Sequence, residues 1–151
     1  MGPPSLTILP AGPEDLDEIL RIEEASFPEP WTRGLFLSEI GKSPPTLFVA
    51  RKELGAPIVG YLCFWTLAEE IHLLNLAVPP FFRKQGVGRL LMHFLLDAAR
   101  KQGISRVLLE VRPSNKAALT LYQSLGFKTL YTRPSYYPPH NEEAWVMEWQ
   151  P

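Results

Sequence analysis

The segment Arg83-Lys84-Gln85-Gly86-Val87-Gly88-Arg89 gathers three cations and two glycines at the start of an amphipathic run. It follows an apolar stretch of strand length, Leu73 to Val78, and the pair Pro79-Pro80. A strand, a glycine-bearing loop and a helix in that order bring free backbone N–H groups and the positive helix end to one point, which suits a phosphate-bearing ligand. The glycines let the backbone approach such a ligand closely. The spacing Arg83-x-x-Gly86-x-Gly88 is neither a P-loop, which ends Gly-Lys-Ser/Thr, nor the GxGxxG of dinucleotide folds. An ordinary strand-to-helix turn has the same local form, so this loop alone leaves both readings open.

A second constellation lies in LLEVRPSNKAALTLYQSLGF, Leu108 to Phe127. Glu110 is an acid inside an otherwise apolar strand, a costly placement unless it is paired or faces a cleft. Asn115 and Tyr122 are seven residues apart on one helix, so at about 100° per residue they share a face and can both meet a ligand running along it. The plainer alternative makes Glu110 an ion-pair partner of Arg112, Asn115 a helix cap and Tyr122 a core residue.

The whole chain limits what these groups can serve. Its 151 residues suffice for one domain with a real core, 1–151, and are too few for two of ordinary size. Fifteen basic side chains nearly cancel sixteen acidic ones, so there is no electrostatic footprint for nucleic acid or an anionic membrane. A positive site must then be local, as the Arg83–Arg89 loop is. The single cysteine, Cys63, excludes an internal disulfide and a Cys/His zinc set, and its setting in YLCFW favours a buried thiol over a nucleophile. No metal is expected. No leader pattern or apolar stretch of about 18 residues is present, so a cytoplasmic location is expected. Sixteen prolines lie mostly between elements, which favours stiff loops.

The elements that position the two constellations follow from local signals. Ser5 to Pro10 reads as a short strand. Pro13 opens a helix with acids in its first turn and Leu16, Ile19 and Leu20 inward. Pro28 and Pro30 interrupt it, and Thr32 caps a second short helix carrying Leu35, Phe36 and Ile40. Thr46–Lys52, Ile58–Leu67 and Ile71–Val78 form a meander whose last strand is apolar on both faces and hence central. A long helix to Arg100 buries Leu90, Leu91, Phe94, Leu95 and Ala98, and Gly103 stops it. Ser105–Arg112 is a strand with Val107, Leu109 and Val111 on one face. Asn115 caps a helix with Ala118, Leu121, Tyr122 and Leu125 on one stripe, closed by Gly126. Phe127–Thr132 and Ala144–Trp149 complete the strands.

The loop matches the (Gln/Arg)-x-x-Gly-x-(Gly/Ala) signature of the GCN5-related N-acetyltransferases. The pieces LNLAV, RKQGVGRLL, LEVRPSNKAALTLYQSLGF and SYYPPHNEEAWVM, in this order and spacing, resemble the RimI branch of that family, and SFPEPW resembles its first substrate loop. The resemblance runs from about Leu6 to Trp149. It implies an α/β fold, a mixed and mostly antiparallel twisted sheet of about seven strands with about four helices, splayed between strands 4 and 5. It implies acetyl-CoA as co-substrate, held by the backbone of Leu76, Ala77 and Val78, by Arg83, Lys84, Gln85, Gly86, Val87, Gly88 and Arg89 at the pyrophosphate, and by Asn115 at the pantetheine arm. The acceptor implied is the N-terminal alanine of a small-subunit ribosomal protein.

On the same resemblance Glu110 is the general base and Tyr122 the general acid. The chemistry suits both: an α-amine of pKa ~8 must lose a proton before it attacks a thioester, and a phenol of pKa ~10 keeps one for the leaving thiolate. Glu69, Glu70 and His72 are further candidates for the base. Phe27, Pro28, Tyr136 and Tyr137 would wall the acceptor groove, or one of the tyrosines packs as core. Two other functions stay open. One is transfer to lysine or a small-molecule amine, and the other is a non-catalytic acyl-CoA-binding module, which would need neither Glu110 nor Tyr122.

Overall fold

Alternation, proline placement and capping divide the chain into seven strands and four helices in the computed structural model, which describes residues 5–137 and 142–151, with side chains through 134 and from 142 onward. The strands are β1 (Thr7–Pro10), β2 (Leu47–Arg51), β3 (Ile58–Leu67), β4 (Glu70–Ala77), β5 (Arg106–Val111), β6 (Lys128–Tyr137) and β7 (Glu142–Trp149). The helices are α1 (Leu16–Ser26), α2 (Arg33–Glu39), α3 (Val87–Lys101) and α4 (Lys116–Ser124). The strand order is β1-β2-β3-β4-β5-β7-β6. β1 with β2, β2 with β3, β5 with β7 and β6 with β7 are antiparallel, whereas β4 with β5 is parallel.

The chain forms two compact units, Met1–Phe64 with Asn75–His93, and Trp65–Leu74 with Phe94–Pro151. In the first, Pro13 begins a single 3-10 turn that leads into α1. The Gly12 N–H donates to Asp15 Oδ2 at 2.9 Å, and Arg51 holds Asp15 Oδ1 at 2.6 Å, so the buried acid anchors the helix start to β2. Thr32 caps α2 as expected, its hydroxyl accepting from the Leu35 N–H at 3.2 Å. Every residue of β3 from Ile58 to Phe64 is buried, the signature of a strand covered on both faces. Gly60 lies where a β-carbon would stand 2.9 Å from Leu91 Cδ1 and 3.0 Å from Val87 Cγ1. Its missing side chain therefore seats the first turns of α3 directly on β3.

That seat corrects the expected helix face. Leu91, Met92, Leu95, Leu96 and Ala99 are the fully buried positions of α3, while Leu90, Phe94 and Ala98 are half-buried. The contact of Val87 and Leu91 with Gly60 rotates the inner face about one residue toward the C-terminus. On α1, Leu16, Ile19, Ile22 and Glu23 are buried and Leu20 is half-buried.

In the second unit, Val107, Leu109 and Val111 turn into the core as alternation requires, joined by Ile71, Val146, Met147 and Trp149. The β4–β5 ladder runs from Glu70↔Arg106 to His72↔Leu108 and ends there, so the two strands splay beyond it within this unit. Arg106 bridges Glu70 and, at 2.9 Å, Glu148, tying β4, β5 and β7 together at the paired end. Gly126, at φ +98°, supplies the left-handed turn that closes α4.

Candidate active site

The glycine loop takes the form its composition suggests. Lys84 at φ +62° and Gly86 at φ +84° put two left-handed residues just before α3, which begins at Val87. The first-turn N–H groups of α3 have no earlier helical carbonyls to bond, so they face outward where an anion can accept from them. Lys84, Gln85, Gly86 and Arg89 are exposed, and Val87 is buried as the first core residue of the helix. Gln85 donates from its side-chain amide to the Phe81 carbonyl at 3.1 Å. Arg83 bends back, its Nε donating to the Val78 carbonyl at 2.8 Å and its Nη2 to Ser26 Oγ at 3.3 Å. Arg83 therefore buttresses the loop. Leu76, Ala77 and Val78 close β4 and the residue after it, with Ala77 buried and its neighbours half-buried.

In the second unit Glu110 stands on β5, 30% exposed, and its Oε1 pairs with Arg133 Nη1 at 2.9 Å. The expected alternative partner, Arg112, instead pairs with Glu142 at 3.7 Å. The antiparallel neighbours β6 and β7 bring Arg133 and Glu142 across to the two ends of this charged row, which sequence spacing alone could not show. Asn115 is a helix cap in fact, its Oδ1 accepting from the Ala118 N–H at 3.2 Å. Tyr122 is buried, with its ring 5.8 Å from that of Phe127. The plain reading of these two residues thus describes their surroundings.

Of the other candidate bases, Glu70 is held below the usual carboxylate range by hydrogen bonding to Arg106, with a smaller contribution from His72 at 3.2 Å. A carboxylate so fixed is a poor proton acceptor. Glu69 is exposed, and its backbone carbonyl accepts from both the N–H and the hydroxyl of Ser105. Among the described residues no cluster of three metal-ligating side chains forms, and no helix is long and apolar enough to cross a membrane.

The first substrate loop follows α1. Phe27 is half-buried, Pro28 is exposed, and Trp31 packs its ring 5.2 Å from that of Phe36. The roles expected of Tyr136 and Tyr137 fall on side chains outside the described part of the structure. What the sequence reading missed is Glu23, 1% exposed. Its Oε2 accepts from the Trp31 N–H at 2.8 Å, and its Oε1 from Tyr61 Oη at 2.6 Å and from Asn75 Nδ2 at 2.9 Å. The signal was present: the helical period that turns Leu16 and Ile19 inward brings Glu23, seven and four residues on, to the same face. Burial and the neighbouring carboxylate push the Tyr61 phenol far above its ordinary range, so it stays a donor.

The family model for GNAT acetyltransferases matches residues 16–127, from α1 through the turn that closes α4. The chain is 35% identical over 125 residues to the ribosomal protein bS18-alanine N-acetyltransferase of Haemophilus ducreyi, covering 83% of this chain and 84% of that one. The crystal structure of the ribosomal-protein-S18-alanine N-acetyltransferase of Escherichia coli superimposes with a TM-score of 0.86 at 32% identity, covering 97% of this chain and 94% of that one. NAA60 of Arabidopsis thaliana in complex with acetyl-CoA shares the fold, with a TM-score of 0.86 at 17% identity over 97% of this chain and 100% of that one. With a glycine loop at the head of α3, a β4–β5 pair that splays and these relatives over most of its length, the chain belongs to the GNAT acetyltransferase family, in its RimI branch, and is an acetyl-CoA-dependent N-acetyltransferase.

Proposed function

We propose that the protein transfers the acetyl group of acetyl-CoA to the α-amine of a protein N-terminus, with the N-terminal alanine of a small-subunit ribosomal protein as its native acceptor. The observation that carries this reading is the likeness, at 32–35% identity over most of the chain, to enzymes named for that reaction. In this reading the outward N–H groups at Gly86 to Gly88, with Lys84 and Arg89, hold the pyrophosphate, and Asn115 hydrogen-bonds the pantetheine arm. The backbone of Leu76 to Val78 receives the acetyl end.

Glu110 then takes a proton from the acceptor ammonium, directly or through one water, and the freed nitrogen pair attacks the thioester carbonyl. A backbone N–H of Leu76 or Ala77 stabilises the oxyanion. Collapse of the tetrahedral species breaks the C–S bond as Tyr122 supplies the proton to the departing thiolate; the nitrogen's second proton passes through water to restore the Tyr122 phenol, and Glu110 releases the first to solvent. No covalent enzyme intermediate is needed. The ion pair with Arg133 keeps Glu110 oriented on β5 while leaving it accessible.

The test is a set of synthetic peptides offered with labelled acetyl-CoA and read by mass spectrometry. A peptide beginning with Ala or Ser should gain one acetyl group at its terminus, and the same peptide with a blocked terminus and a free lysine should react at least ~10-fold more slowly, since an ε-amine of pKa ~10.4 is far harder to deprotonate. Efficient lysine modification with an untouched free terminus would overturn the acceptor assignment.

A further inference from the structure

The loop Phe27–Trp31 has little backbone bonding of its own. Pro28 and Pro30 carry no N–H, and the Phe27 N–H belongs to the end of α1, donating to the Glu23 carbonyl at 3.1 Å. The Trp31 N–H, at the far end of the loop, is taken by the Glu23 carboxylate. The same carboxylate holds Asn75, the residue immediately before the Leu76–Val78 backbone, and Tyr61 on β3. One fully buried acid thus bonds the far end of a loop on one side and a strand on the other. All three of its partners are uncharged donors, so the site satisfies the carboxylate through geometry, with no cation required.

We propose that Glu23 is a positioning residue for the acceptor: its carboxylate fixes the Phe27–Trp31 loop in register with the end of β4, and so sets where the acceptor amine stands relative to the acetyl group. This rests on the reading of that loop as the acceptor side. Glu23 itself, 1% exposed, touches no substrate. What matters is reach. A glutamine keeps the length and an oxygen for the Trp31 N–H, while its amide can meet Tyr61 Oη and a flipped Asn75. An aspartate keeps the charge and falls short by one methylene.

Three variants separate this from a merely structural role. Glu23→Asp should raise the peptide KM about tenfold or more, with acetyl-CoA affinity by calorimetry unchanged within about twofold, the split expected when one ligand's contacts alone are lost. Hydrogen exchange should show the Trp31 amide released in the same protein. Glu23→Gln should stay within about threefold of wild type on both ligands. Tyr61→Phe, which removes a bond to the carboxylate but leaves the Trp31 tether, should lower the melting temperature and spare the peptide KM. Should the aspartate variant not fold, Asn75→Ala carries the test, with the peptide KM rising about fivefold and acetyl-CoA binding kept.

A folded Glu23→Asp, or Asn75→Ala in its place, with an unchanged peptide KM would overturn the proposal, as would equal losses for peptide and acetyl-CoA. A wild-type enzyme that acetylates no N-terminal peptide overturns the acceptor reading itself, and the two failures are told apart by the wild-type control.

Discussion

Glu110 and Glu23 are both acids set among apolar neighbours, and what surrounds each decides what it can do. Glu110 is 30% exposed and its partner Arg133 is 45% exposed, so its carboxylate is open to solvent. Glu23 is 1% exposed behind three donors and is closed to it. Glu110→Gln keeps the shape and removes the base, so kcat should fall by ~10²–10⁴-fold with acetyl-CoA affinity nearly intact. Near-wild-type turnover across pH 6 to 9 would pass the role to Glu69 or His72, since Glu70 is pinned by Arg106. Glu110 could be picked out of the sequence because an acid breaks the alternation of an apolar strand. Its pairing with Arg133 could not, because that depends on the β6–β7 register, which shifts between Arg133 and Tyr137.

The elements were legible where a local signal fixes them. Thr32 and Asn115 cap the helices they precede, Gly103 and Gly126 take positive φ at the stops, and the proline pair Pro28 and Pro30 follows the end of α1. The face of α3 was read one residue off because what rotates it is a glycine on another element, and Gly60 gives no sign in sequence of which helix it will meet. The positive φ of Lys84 and Gly86 in the loop before α3 is a detail that the glycine spacing allows but does not itself specify. At Gly86 a β-branched side chain would be strained at φ +84° by about 1–2 kcal/mol and would fill the space beside the first helical N–H groups. A folded Gly86→Val protein should therefore bind acetyl-CoA at least ~10-fold more weakly by calorimetry, and unchanged affinity would remove the pyrophosphate from this loop.

At the scale of the molecule, a nearly neutral chain buries its polar chemistry in a few saturated clusters, and Cys63 reports on one of them. The thiol lies on β3, fully buried in the first unit, 3.7 Å from Oε1 of Glu39; that oxygen also accepts from Thr46 Oγ1 at 2.8 Å, and Glu39 Oε2 accepts from Lys42 Nζ at 2.8 Å. Burial first, and then the charge of Glu39, pushes the thiol up to about 12. Since only the thiolate attacks a disulfide reagent, that shift from the ordinary ~8.5 lowers the reactive fraction at pH 8 by about 10³, before any steric block. The native protein should accordingly label at least ~10³-fold more slowly than the urea-unfolded chain, and the residual rate should follow the opening of β3. The sign of the pH effect follows as well. With the native thiol raised, the unfolded chain alone releases its proton above about pH 8.5, so this contribution to stability is complete below that point and declines as pH rises toward 12. Cys63→Ala should flatten that alkaline decline in urea titrations, at the cost of a small cavity. A thiol in the folded protein that labels at the unfolded rate would mean that β3, with Tyr61 and the Glu23 cluster beside it, opens far more readily than its burial implies.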